Sequence, residues 1–206
     1  MTTSTARPRS YSDAEPFPVG YNSTILEQFV ASLEHWKDVQ ILDAGPVCQE
    51  NITFFARRMR RHYACDMFIR LHRALVQQPQ PGNFLKHLDY PPRTFDGIQL
   101  WDLIDHLDDD QATQLVARCF EMLRLTGLLM LVALEQKPEP ATTNTFVVGR
   151  NYRLDLRLQP HLALPWFCRH NRAILSLLSE FTIVKTFRYR NGLREFLFKK
   201  PGLIRD

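Results

Sequence analysis

The fold of this chain is decided by the stretch Val39-Gln40-Ile41-Leu42-Asp43-Ala44-Gly45-Pro46-Val47-Cys48-Gln49-Glu50-Asn51. It begins with a short apolar run, typical of a strand that is buried on both faces. An acid, a glycine and a proline follow, and the pattern then predicts a helix from Glu50 to Arg61. A strand, a tight turn and a helix opening form the first half of a βαβ unit. This is the place where open α/β sheets bind nucleotides.

The turn itself has an unusual composition for that role. A nucleotide-binding turn normally carries two or three glycines, so that the backbone approaches the ligand without an intervening side chain. Here only Gly45 is present, while Val47 and Gln49 stand where further glycines are expected and Pro46 stiffens the turn. The sequence therefore leaves two alternatives open, a cofactor site or a turn that has lost one.

Length and composition favour one domain. The chain has 206 residues, of which 45% are hydrophobic, enough for a real core. Residues 1–20 are rich in Thr, Ser, Pro and Arg and contain no apolar segment, so we expect a flexible tail rather than a secretory signal, followed by a single domain at 21–206. No apolar run approaches the ~20 residues of a membrane span. We expect a cytoplasmic protein.

Charge and cysteine spacing exclude some classes of function. The net charge of +4 is mild and does not point to nucleic acid. Cys48, Cys65, Cys119 and Cys168 are scattered without a metal-like spacing, which predicts free thiols in a reducing compartment. The acids at 108–110 suit a helix start, and consecutive acids on a helix point in different directions, so we expect no metal site.

One local cluster carries much of the positive charge. Arg57, Arg58, Arg60 and Arg61 follow the predicted helix after the turn. They form either a phosphate-binding patch or a group of cations that the helix dipole favours near a C-terminus.

Later stretches continue the α/β pattern. The run 62–67 predicts a second strand that ends near Asp66, which lies 23 residues after Asp43 and so near the ribose-binding offset of dinucleotide folds. Further buried strands are predicted at 95–102 and 128–133, and Asn191-Gly192 marks a closing hairpin over 182–199. The segment from about 135 to 169 is irregular and rich in Pro and aromatic residues, which indicates a lid-like insertion or a surface for a protein partner.

Several of these stretches together resemble the class I methyltransferases that use S-adenosylmethionine (SAM). The resemblance covers roughly residues 25–200. It rests on Ile41-Leu42-Asp43-Ala44-Gly45 as the first motif, Asp66 after the second strand, Leu88-Asp89, the stretch 95–107, and Arg124-Leu125-Thr126-Gly127-Leu128-Leu129. It implies a Rossmann-like α/β fold with a mostly parallel seven-stranded sheet, a C-terminal antiparallel hairpin and helices on both faces.

The resemblance also implies site roles. The backbone at Asp43, Ala44 and Gly45 would contact the methionine end of SAM, and Asp66, with Met67 beside it, would contact the ribose. Asp89 would reach the adenine amine, and Trp101 or Asp102 would line the floor under the sulfonium. Carboxylates around this pocket would offset the desolvation of the positive sulfonium. Methyl transfer needs mainly alignment of the reacting atoms.

His106 is the candidate catalytic base because it follows the fourth predicted strand and titrates near neutral pH. The alternative is a solvated loop histidine beside Asp105 and Asp108. The leading hypothesis is a SAM-dependent methyltransferase acting on an unidentified small-molecule or protein acceptor. The alternative is a catalytically inactive methyltransferase-like domain that serves as a protein-interaction or scaffold module. A third hypothesis is an RNA-directed methyltransferase that uses the arginines at 57–61.

Overall fold

The computed structural model of the chain describes residues 20–77 and 83–202, and the predicted tail, apart from Gly20, lies outside them. The strands are β1 (Gly20–Asn22), β2 (Gln40–Asp43), β3 (Arg61–Ala64), β4 (Phe95–Gln99), β5 (Leu123–Leu134), β6 (Asn144–Val148), β7 (Arg153–Leu158), β8 (Thr182–Arg188) and β9 (Leu193–Lys199). The α-helices are α1 (Thr24–Leu33), α2 (Gln49–Ala56), α3 (Met67–Gln77), α4 (Asp109–Met122) and α5 (Asn171–Leu177). Short 3-10 helices span Asn83–His87, Leu103–His106 and Arg150–Tyr152.

The main sheet has the order β3-β2-β4-β5-β9-β8. Its first four strands are parallel neighbours, while β9 and β8 are antiparallel. This confirms the Rossmann-like α/β sheet and the C-terminal hairpin. The described residues give this sheet six strands, one fewer than predicted. Beside β3 the chain forms the 3-10 helix Asn83–His87 and then reaches Pro91 and Pro92, which lack the N–H groups that a further strand needs.

Helices cover both faces of the main sheet, as predicted, and β5 shows why. Leu128, Met130 and Val132 belong to one buried cluster with α1 and α2, whereas Leu129 and Leu131 belong to the other cluster, with α3, α4 and α5. Alternate residues of a strand point to opposite faces, so a continuous apolar run requires a helical layer on each side.

A second, three-stranded antiparallel sheet of order β1-β7-β6 lies in the cluster of α1 and α2. Strands β6 and β7 come from the segment at 135–169 that we predicted to be irregular, and β1 pairs with β7 just before α1 begins. This small sheet therefore brings residues from the two ends of the chain to the side of the main sheet that holds α2.

Polar residues at two helix starts have structural roles. Ser23 caps α1 by accepting a hydrogen bond from the N–H of Leu26 at 2.9 Å. Asp108 caps α4 in a reciprocal arrangement with Gln111.

Within residues 20–77 and 83–202 no group of His, Cys, Asp or Glu is arranged to hold a metal ion. The four cysteines carry free thiols. None of the helices described is both long and apolar enough to span a membrane.

Gly97 in β4 lets α1 pack closely against the sheet. A Cβ at this position would lie 2.6 Å from Cζ of Phe29 and 2.7 Å from Cδ1 of Leu33, both fully buried. We expect Gly97→Ala to lower the free energy of unfolding by about 1–3 kcal/mol, because the core must shift to admit the methyl group. Urea unfolding would measure the change. Gly202→Ala is the matched control, since its Cβ would lie 3.5 Å from Cγ2 of Thr126, an ordinary contact. Equal stability of the two variants would contradict this view of the packing.

Candidate functional site

The carboxylate of Asp43 organises the turn after β2. Asp43 is only 5% exposed, so its charge must be satisfied from within the protein. Its Oδ1 accepts hydrogen bonds from the backbone N–H of Gly45 at 2.9 Å and from Nε1 of Trp101 at 2.7 Å. Its Oδ2 lies 3.7 Å from Nε2 of His62 on β3. The carboxylate therefore ties together the turn, the end of β4 and the neighbouring strand.

The indole of Trp101 lies directly against Gly45. A Cβ at Gly45 would lie 2.4 Å from Cδ1 and 2.6 Å from Nε1 of Trp101, so the buried indole would have to shift to admit any side chain there. Trp101 has a positive φ of 52°, an uncommon conformation for a large side chain, which the contacts around the indole hold in place. The glycine of the turn is thus required by the protein's own tryptophan.

A second aromatic layer covers Trp101. Phe146 of β6 stacks on the indole with a centroid separation of 5.5 Å and an interplanar angle of 9°, and both side chains are 1% exposed. The side chain of Asn51 in α2 fixes this strand: its Nδ2 donates to the carbonyl of Phe146 at 2.9 Å, and its Oδ1 accepts from the N–H of Val148 at 2.8 Å. Helix α2 and strand β6 together therefore close over the turn.

Asp66 lies after β3, beside the same turn. Its Oδ2 accepts from the N–H of Val47 at 3.2 Å, and its Oδ1 accepts from the N–H of Ile69 at 2.9 Å in the first turn of α3. The side chain of the neighbouring Met67 is fully buried in the core. A carboxylate has about four acceptor positions, so Asp66 retains capacity for a further donor.

The remaining predicted cofactor residues divide into two groups. The backbone of Ala44 donates to the carbonyl of Gln99 at 2.9 Å, so Ala44 belongs to the same strand ends as Asp43 and Trp101. Asp89 is separate: its side chain is 93% exposed and pairs with Arg118 of α4 at 3.4 Å. The structure therefore brings Asp43, Ala44, Gly45 and Trp101 together at the ends of β2 and β4. Asp89 instead pairs with Arg118 of α4.

His106 is fully buried, in contrast to a solvated loop histidine. Its Nδ1 lies 2.8 Å from the carbonyl oxygen of Pro165, and its ring contacts Trp166, with centroids 4.2 Å apart. Its Nε2 lies 3.8 Å from Oδ2 of Asp102, which is an ion-pair distance rather than a hydrogen bond. Burial lowers the pKa of His106, but the Asp102 carboxylate, the carbonyl of Pro165 and Asp105 together outweigh burial and raise this pKa above its ordinary value.

Asp105 is the second buried acid of this 3-10 helix. Its Oδ2 accepts a hydrogen bond from the N–H of Leu134 at 2.6 Å. Burial raises the pKa of Asp105 to about 7, and the neighbouring Asp102 carboxylate acts in the same direction.

Arg169 and the residues before it cover this acidic helix. Arg169 donates to the carbonyls of Ile104 at 2.6 Å and Leu107 at 2.8 Å, and the N–H of Phe167 donates to the carbonyl of Asp105 at 2.6 Å. A substrate would reach His106 only if this cover moved, because the histidine is 0% exposed.

Several buried polar atoms near the turn have no hydrogen-bond partner among the described residues. They include both amide atoms of Gln99, Nε2 of His62, Oδ1 of Asp102 and Nε2 of His106. Gln99 pairs with Asp43 in the sheet register, so its side chain is carried by the strand next to the turn. Buried polar groups are normally paired, and these atoms keep the capacity to bind water or a polar ligand.

Sequence reasoning missed the residues that close the site. Asn51, Phe146, Trp166 and Arg169 had no assigned role, although an asparagine on the apolar face of α2 is a local signal of a buried hydrogen bond. Their partners lie far along the chain: Asn51 and Phe146 are 95 residues apart. Spacing along the sequence does not report such contacts.

Several solved structures that align with this chain are SAM-dependent methyltransferases. The enzyme from Archaeoglobus fulgidus aligns with a TM-score of 0.54 and 11% identity, over 85% of this chain and 91% of that chain. The Methanosarcina mazei protein aligns at 0.52 and 14% identity, over 87% and 98%. The N-methyltransferase NodS of Bradyrhizobium japonicum, in complex with S-adenosylhomocysteine, aligns at 0.50 and 16% identity, over 87% and 89%.

These likenesses show that the chain has the class I methyltransferase fold. The proteins from Archaeoglobus fulgidus and Methanosarcina mazei depend on SAM, which is consistent with the cofactor expected from the sequence. No family model matches the chain, and no curated protein is similar enough in sequence to count as a relative.

The turn gives an independent test of whether SAM fits. The resemblance places the methionine portion against the backbone of Asp43 to Gly45, where the indole of Trp101 contacts Gly45 and donates to Asp43. In this arrangement the indole fills the space on the side of the turn toward which a side chain at Gly45 would point. Asp66, with free acceptor capacity, is compatible with ribose hydroxyls.

The buried acid Asp105 predicts a pH-dependent stability. Its carboxyl keeps a proton up to about pH 7 in the folded protein, whereas its ordinary pKa is 3.8. The contribution of Asp105 to stability therefore falls as the pH rises from about 4 to about 7, by at most about 4 kcal/mol. Asp105→Asn should reduce this fall, because the amide oxygen still accepts from Leu134 and carries no charge.

Urea unfolding at pH 5 and pH 8 would measure the effect as the difference between wild type and variant. His106 and Arg194 face Asp105, and the raised pKa of His106 also makes stability fall as the pH rises through that pKa, so a residual slope is expected in the variant. Asp110→Asn is the control for removing one acid, because Asp110 is an exposed residue of α4. A wild-type slope that persists unchanged in Asp105→Asn would contradict the assignment.

Proposed function

We propose that this chain is a binding module built on the methyltransferase fold, in which its own Trp101 takes the position of a ligand at the turn. The observation that carries the proposal is the contact of the indole with both Asp43 and Gly45. It explains why one glycine remains in the turn and why Val47, with 51% exposure, and Gln49 replace the others. A turn that holds no ligand does not need the additional glycines.

The packing around Trp101 supports this proposal. Phe146 stacks on the indole, and Asn51 fixes the strand that carries Phe146 with two hydrogen bonds. Moving the indole would break its hydrogen bond to Asp43 and leave a buried carboxylate with one donor fewer. This costs more free energy than a rotamer change of an exposed side chain. The turn is therefore a structural feature of the domain, and binding is expected elsewhere on its surface.

A second candidate function is SAM-dependent methyl transfer to a small-molecule or protein acceptor, with residues 135–169 as the acceptor surface. It is supported by the fold and by the unpartnered polar atoms of Gln99, Asp102 and His106 beside the turn. In this function Trp101 would leave Asp43 before the cofactor entered. His106 is the candidate base for the acceptor.

Thermal unfolding with S-adenosylhomocysteine separates the two functions. For the binding module we expect no shift of the wild-type midpoint at millimolar ligand, since the indole occupies the turn. A ligand at about 100 times its dissociation constant would add roughly 2.7 kcal/mol and raise the midpoint by roughly 5–10 °C. A shift of that order would favour methyl transfer and overturn the binding-module proposal.

Chemical rescue tests the role of Trp101 directly. Trp101→Gly suits the positive φ and leaves a space in the shape of the lost side chain. We expect added indole to raise the unfolding midpoint of this variant and to leave the wild type unchanged. Trp36→Gly is the control, because Trp36 is 37% exposed and its loss creates no buried space. Rescue of both variants, or of neither, would contradict the buried packing of the indole.

A further inference from the structure

A solvent-open surface cavity of about 490 Å³ lies along α2, and Trp101 is not among the residues that line it. Its walls include Phe54, Arg57 and Arg58 from the helix and its C-terminal end, together with Val148 and Arg150 from the end of β6 and the residues after it. The inward side of the same helix carries the buried Asn51 and Phe55. The volume lies within the range of small-molecule sites, about 300–1,000 Å³.

Phe54 supplies an aromatic surface to this cavity. Its ring is held edge-to-face by Tyr152 at a centroid distance of 5.9 Å, and the guanidinium of Arg58 lies 3.9 Å from its centroid. Arg58 is itself fixed by a hydrogen bond of 3.0 Å to the carbonyl of Phe54 and an ion pair of 3.5 Å with Glu34. The aromatic part of the wall is therefore ordered by contacts within the protein before any ligand binds.

The charges around the cavity are not balanced. Glu50, the acid in its wall, is already paired with Arg157, whose guanidinium lowers the pKa of the Glu50 carboxyl. Arg58 is paired with Glu34. Among residues 20–77 and 83–202, no acid lies within ion-pair distance of Arg57 or Arg150. Two guanidinium groups thus remain available at the mouth of a partly apolar cavity.

We propose that this cavity binds a small organic anion with a flat apolar body, such as an aromatic carboxylate or an aryl phosphate. The proposal rests on the proposed function of a binding module and names the class of its ligand. Guanidinium groups bind carboxylate and phosphate oxygens through paired hydrogen bonds, and the ring of Phe54 packs against a planar body. The small size of the cavity and the pairing of Arg60 with Asp38 at 3.6 Å favour a small ligand over a long polyanion.

Binding would be measured by ¹⁹F NMR with three probes: 4-fluorophenyl phosphate, 4-fluorobenzoate and the neutral 4-fluorobenzyl alcohol. We expect both anions to bind at least about tenfold more tightly than the alcohol, because charge-assisted hydrogen bonds are the stronger ones. The ratio of phosphate to carboxylate affinity identifies which anionic group the ligand carries. Equal affinity for the alcohol and the anions would overturn the proposal.

Substitutions locate the site. Arg57→Gln combined with Arg150→Gln should weaken anion binding by about tenfold or more, while Arg60→Gln, from the same arginine cluster but outside the cavity, should leave it within about twofold. All three side chains are exposed, so the variants are expected to fold, and their unfolding midpoints verify this. Phe54→Leu should weaken both aryl anions and leave inorganic phosphate unchanged. Equal loss in Arg60→Gln would contradict a site in this cavity.

The anion-binding experiment and the test with S-adenosylhomocysteine can overturn their two proposals separately. A thermal shift with S-adenosylhomocysteine together with loss of aryl-anion binding in the double variant would overturn the binding module and retain the anion site. Absence of that shift together with unchanged aryl-anion binding in the double variant would retain the closed turn and overturn the anion site.

Discussion

The hydrogen bond from the indole of Trp101 to the carboxylate of Asp43 is the constraint on which the rest of the site depends. A buried carboxylate at the end of a parallel strand must find donors inside the protein, and here the donors are Nε1 of Trp101 and the N–H of Gly45. The position of the indole then determines its surroundings. It crowds any side chain at Gly45, it accompanies the positive φ of Trp101, and it provides the surface on which Phe146 stacks.

The same edge of the sheet shows that a shared fold does not by itself determine the binding site. Open α/β sheets bind ligands beyond the carboxyl ends of their parallel strands, and the strands of this protein keep that arrangement. The protein fills part of the edge with its own residues. Trp101 lies against the turn, the small sheet of β1, β7 and β6 packs over α2, and Arg169 holds a segment over the acidic helix that contains His106. Burial beneath this segment is the cause of the raised pKa of Asp105.

The arginines after α2 also act individually rather than as one patch. Arg58 and Arg60 pair with Glu34 and Asp38, acids that lie at the end of α1 and before β2. Arg57 and Arg58 both line the cavity beside α2, and no acid of the described residues lies within ion-pair distance of Arg57. Four neighbouring cations in sequence therefore serve at least two purposes, and the local charge density that a long polyanion needs is partly neutralised by these pairs.

The sequence by itself determined the alternation of strands and helices, the buried parallel strands, the closing hairpin and the helix start at the acids 108–110. Apolar periodicity and turn residues act within a few positions, so they are visible without a structure. The resemblance to class I methyltransferases also implied that Asp43, Gly45 and Trp101 border one pocket. The sequence did not determine the number of strands, because prolines and a 3-10 helix replaced the outermost strand, nor which side chain fills the turn. That depended on the φ of Trp101, on Phe146 and on Asn51, and the contacts among these residues join positions up to 95 residues apart. Only the tertiary structure decides such contacts, because their energy depends on packing between distant segments and not on the local order of residues.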